Sequence, residues 1–78
     1  MKRDIKTKSL KTAMLNVATR IRSDLVLHVA FVPVKTGGHY LLWVTQAGDH
    51  NTTEWTVSFV EGHTCSITLP THLTTEKE

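Results

Sequence analysis

Between Arg22 and Leu25 the hydrophobic period of this chain changes from that of a helix to that of a strand. Leu10, Ala13, Met14, Val17, Ala18 and Ile21 recur at i, i+3, i+4, i+7, i+8 and i+11, a stripe that only a helix brings onto one side. Ser23-Asp24 interrupts it, and from Leu25 onward apolar positions recur every second residue. The helix is expected over residues 8–23, capped by Ser9 or Thr7. Neither has the Glu or Gln three residues on that would complete a capping box.

The strand signals follow in close succession. "LVLHVAFVPV" is apolar on both faces, which predicts a central strand or one covered on its second face, ended by Pro33. Lys35-Thr36-Gly37-Gly38 reads as a turn, and "HYLLWVTQ" as the next strand. Its faces, Tyr40-Leu42-Val44 and His39-Leu41-Trp43, are both apolar enough to be buried, so pattern alone does not choose between them. After the polar loop "AGDHNTT", Trp55, Val57 and Phe59 alternate inward in "EWTVSFV". Glu61-Gly62 is a hairpin signal, and "TCSITL" turns Cys65, Ile67 and Leu69 inward. Pro70 stops that strand, and residues 71–78 read as a polar tail.

Short links between successive strands favour antiparallel pairing, and the helix needs a surface on which to bury its stripe. The expected fold is therefore a two-layer α+β domain, an N-terminal amphipathic helix on a four-stranded antiparallel meander over residues 24–70. Residues 1–7 form a basic arm. Seventy-eight residues, 40% hydrophobic and 21% charged, make one globular domain near the lower size for independent folding. No apolar run is long enough to span a membrane, and the N-terminus lacks the apolar core of a secretion signal. One cysteine, Cys65, makes no internal disulfide, so a reducing, cytoplasmic setting is expected. Asn51-Thr52-Thr53 matches a glycosylation sequon but has no secretory context.

The net charge of +2 conceals an asymmetry, because seven of the nine Lys and Arg residues lie within the first twenty-two positions beside one acid, Asp4. At 100° per residue, Lys8, Lys11 and Arg22 share one helix edge around Leu15, while Arg20 falls on the opposite flank. That edge is a candidate partner-binding surface. The same bases, with Lys2, Arg3, Lys6 and Arg20, could instead neutralise nucleic-acid phosphates. However, no helix-turn-helix, zinc finger or aromatic-basic strand motif accompanies them to read bases. No Trp or Phe lies on the helix's apolar side, as membrane-surface binding would require.

His28, His39, His50, His63 and His72 are scattered, and only His63-x-Cys65 has a spacing that could converge on a metal. With Cys65 on the inward side of its strand, neither a metal site nor a cysteine nucleophile is expected. No catalytic motif occurs, so no enzyme activity and no cofactor are expected. A second candidate surface is the outer sheet face. If Tyr40, Leu42 and Val44 enter the core, Leu41 and Trp43 emerge outside beside Val26, Ala30 and Val32, an apolar area suited to another protein or a second copy. The functional expectation is a small non-enzymatic accessory or inhibitor protein that occludes a partner, binding through that face, a sheet edge or the helix edge. Small motif-free domains of this kind are common among phage and mobile-element accessory proteins. The alternative is a nucleic-acid-binding accessory protein using the basic N-terminal helix.

Overall fold

In the computed structural model, which describes residues 3–49, 51 and 53–75, the first helix is shorter than its stripe. Helix α1 spans Leu10–Arg20. Ser9 keeps an extended backbone, and its hydroxyl accepts the Thr12 N–H at 3.4 Å, the geometry of an N-cap. Thr7 braces the cap, its Oγ1 accepting the Ser9 N–H at 3.1 Å. At the other end Ile21 turns extended while its N–H still reaches the Val17 carbonyl at 3.0 Å. Residues 22 and 23 therefore lie beyond the helix, and Lys8 lies before it, which corrects the expected span of 8–23. Extending at Ile21 keeps that side chain buried while its backbone pairs with Thr74. Ala13 and Val17 are fully buried, but Met14 and Ala18, expected in the same stripe, are exposed. The buried stripe is narrow because α1 rests mainly on the first strand and one end of the second instead of crossing a whole sheet.

That first strand replaces the expected arm. β1, Arg3–Thr7, pairs antiparallel with β5, Cys65–Leu69, in a register that sets Ile5 opposite Ile67 and Thr7 opposite Cys65. Ile5 and Thr7 point inward while Asp4 and Lys6 face solvent, so a period of two is present but masked by charge. The Thr68 hydroxyl donates to Asp4 at 2.8 Å across the pair.

β2 (Leu25–Val34), β3 (Gly37–Gln46) and β4 (Trp55–Phe59) form a separate antiparallel sheet in the order β2-β3-β4. The α+β class stands, with antiparallel sheets, but the strands divide into a three-stranded and a two-stranded sheet instead of one four-stranded meander. β1 satisfies the backbone of β5, so β4 and β5 need no hairpin. The Glu61-Gly62 turn instead docks on the helix entry, the Gly62 N–H donating to the Lys8 carbonyl at 2.8 Å. The Trp55 indole N–H donates to the Thr68 carbonyl at 3.2 Å and links the two sheets.

The expected polar tail is also structured over 71–75. Thr71–Leu73 form a 3-10 turn, with Leu73 fully buried. The Arg22 N–H donates to the Leu73 carbonyl at 2.8 Å, and the Thr75 N–H to the Arg20 carbonyl at 3.1 Å. One apolar residue in a polar run carries no period, so pattern reading passes over it.

The core unites Ile5, Ile67 and Leu69 of the small sheet, Ala13, Val17 and Ile21 of the helical segment, Leu73, and Leu25, Leu42, Val44 and Phe59 of the large sheet. The last four lie on one side of β2-β3-β4. The Cα envelope measures 39 × 26 × 16 Å. Packed layers stand about 10 Å apart, so the shortest dimension holds two layers and not three.

Candidate functional site

The two-residue turn Lys35-Thr36 sets the register of the large sheet, pairing Val34 with Gly37 and, further down, His28 with Trp43. Leu42 and Val44 are fully buried on the core side, which places Leu41 and Trp43 on the other. Beside them stand Val26, His28, Ala30 and Val32 of β2, with His39 and Thr45 of β3 and Thr56 and Ser58 of β4. None of these is Asp, Glu, Lys or Arg, and none joins the core cluster. With only two layers in the molecule, this face has no protein layer over it among the described residues.

Its centre is tied together by side-chain contacts. The His28 ring stacks on the Trp43 indole, centroids 5.1 Å apart and planes 12° from parallel. His28 Nε2 lies 2.8 Å from the Thr45 hydroxyl, which fixes the ring's rotation and satisfies the buried Thr45 side chain. Trp43 is therefore half-buried, covered by neighbours in its own sheet and open above. Pattern reading placed Leu41 and Trp43 here as one of two registers but missed the His28-Thr45 support. Counting back from a turn at Lys35-Thr36 would have found it.

β2 was expected to be central or covered on its second face; it is instead the edge of its sheet. The Asp24 carbonyl accepts the Ala47 N–H at 2.8 Å, and the Val44 carbonyl accepts the Glu54 N–H at 3.1 Å. Even-numbered residues of β2 thus direct their backbone groups toward β3, and odd-numbered ones away from it. The Leu25 N–H, on the outward side, is taken by the Arg22 carbonyl at 3.1 Å. Pro33 also falls on the outward side, where a missing N–H breaks no ladder bond. It therefore sits inside β2 and does not end it as expected.

The basic helix edge does not persist as one surface. Lys8, Lys11 and Leu15 are exposed, Leu15 to 62%. Arg22, however, is beyond the helix and already engaged. Its Nε and Nη2 grip the two Asp24 carboxylate oxygens at 3.0 and 3.1 Å, and its Nη1 donates to the His72 carbonyl at 2.8 Å. Arg20 donates to the Asn16 carbonyl at 3.1 Å. Lys6 is exposed on β1, facing the same solvent as Asp4. Lys2 and the Arg3 side chain lie outside the described residues, as do His50 and Thr52 of the sequon.

His63 is exposed and Cys65 half-buried, its thiol directed at the Val60 carbonyl 3.7 Å away. Among the described residues no three of His, Cys, Asp and Glu come together in metal-binding geometry, and no pocket is enclosed. Among the described residues no helix is long and apolar enough to cross a membrane.

No protein-family model, curated protein or solved structure matches this chain.

Proposed function

We propose that this is a small protein-binding accessory protein, of the occluding or inhibitory kind and acting in the cytoplasm, which docks a partner on the outer face of β2-β3-β4. One observation carries the reading: a three-stranded sheet with one side in the core presents on its other side strand residues without Asp, Glu, Lys or Arg, centred on the stacked His28-Trp43 pair, with no layer over them among the described residues. Rigid aromatic anchors surrounded by aliphatic and hydroxyl side chains make the kind of centre that concentrates binding energy. The matching partner surface is itself apolar and uncharged at its middle.

The nucleic-acid alternative has less support, because Arg20 and Arg22 are held by neighbours and the exposed lysines are spread over β1, the helix entry and α1. The test is capture from native-host extract with nuclease at low and high salt, comparing the unmodified chain with Trp43→Lys. A specific protein retained at high salt and lost with folded Trp43→Lys supports the reading. Capture that disappears with nuclease or falls steeply with salt supports phosphate binding and overturns it. Capture undiminished in folded Trp43→Lys removes the outer face as the docking surface.

A further inference from the structure

From the edge of β2 we infer that the chain forms a two-fold dimer in which β2 pairs antiparallel with β2 of a second copy, centred on Val29. This uses the strand's edge and stands independently of what covers the outer face.

The outward backbone groups of β2 belong to Leu25, Leu27, Val29, Phe31 and Pro33. At one end the Leu25 N–H is already bonded to Arg22; at the other, Pro33 has none to give. Between them Leu27, Val29 and Phe31 carry N–H and C=O groups that bond no other segment of the described chain. These positions are symmetric about Val29. A two-fold axis there sets Val29 against its own copy, Leu27 against Phe31, and Leu25 against Pro33. Every available donor then meets an acceptor, and the two positions without a free donor oppose each other.

Charge and exposure favour the same occupant. Leu25–Val34 contains no Asp, Glu, Lys or Arg, so a second copy meets no like charge along the strand although the chain is +2 overall. β1 by contrast carries Arg3, Asp4 and Lys6, the usual protection of an edge against unwanted pairing. Large apolar side chains are also exposed along β2, with Val26 at 43%, Phe31 at 54% and Val34 at 52%. The nine residues Leu25–Pro33 that face each other, at about 3.3 Å each, give a contact about 30 Å long. With side chains above and below it, the contact buries on the order of 1,000 Å² in total, the lower limit for a specific interface. The dimer is therefore reversible and concentration-dependent. Pairing joins two three-stranded sheets into one and sets the two outer faces side by side.

The test is sedimentation equilibrium of the unmodified chain from micromolar to millimolar concentration, with amide hydrogen exchange at both extremes. A monomer–dimer equilibrium is expected, with exchange at Leu27, Val29 and Phe31 slowed at least tenfold in the dimer. Val29→Pro removes a donor that is unused in the monomer and should leave a folded protein that no longer dimerises. Should Val29→Pro fail to fold, the exchange measurement on the unmodified chain decides. A chain monomeric at millimolar concentration overturns the proposal, as does a folded, dimeric Val29→Pro. A dimer in which those three amides exchange at the monomer rate, as one built from two outer faces would show, overturns it too.

Discussion

Trp43 owes its half-buried state to one stacking partner and one register. Its indole is covered by the opposite His28 and not by a second layer, so truncation opens little interior volume. Trp43→Ala should cost about 1–2 kcal/mol in urea denaturation, below the ~3–5 kcal/mol typical of a fully buried Trp. Thr45 is more exacting despite its size. It is buried and meets His28 Nε2 at 2.8 Å; Thr45→Val keeps the volume and deletes the hydroxyl. A loss of about 1–3 kcal/mol in urea denaturation is expected from the unpaired imidazole nitrogen. Neither role is visible in composition. A lone histidine in an apolar strand acquires meaning only when the turn tells which residue stands opposite.

At the scale of elements, the hairpin depends on Gly38 in a way that its turn-like composition conceals. A Cβ there would press on the Phe31 ring and lie 2.9 Å from the Val32 carbonyl oxygen. The ring can move aside, but the carbonyl is part of the ladder. Gly38→Ala should therefore destabilise the protein by about 1–3 kcal/mol and change the aromatic near-UV signal, since Phe31 packs on Tyr40 at 5.1 Å. Ser9→Ala should cost about 0.5–1 kcal/mol by thermal denaturation, a modest value for a long cap bond backed by Thr7. The helix and the β2-β3-β4 strands were legible because each repeats one period over several residues. β1 was not, since Asp4 and Lys6 alternate with its buried residues in a segment too short to show a period. The helix end escaped notice for another reason: Ile21 stays buried in either conformation, so hydrophobicity continues past the last helical residue. Projecting Arg22 onto a helix edge followed from that error, while Lys11 and Leu15, inside the true span, are exposed as their rotation predicts.

At the scale of the whole molecule, the 71–75 segment closes the core against the end of α1. Leu73 fills the core and the 71–75 segment bonds to Arg20 and Arg22, so Leu73→Ala should cost about 2–5 kcal/mol. For a domain of this size that lowers Tm by roughly 10 °C or more, measurable by calorimetry. Pairing of β1 with β5 also has a consequence for biosynthesis. Of the described strands, β1 emerges first from the ribosome and β5 last, so Ile5 and Thr7 wait for a mate until nearly everything between has been translated. A nascent polypeptide halted before Cys65 holds a first strand whose ladder partner does not yet exist. Synthesis of β5 supplies that partner and lets the two-stranded sheet close.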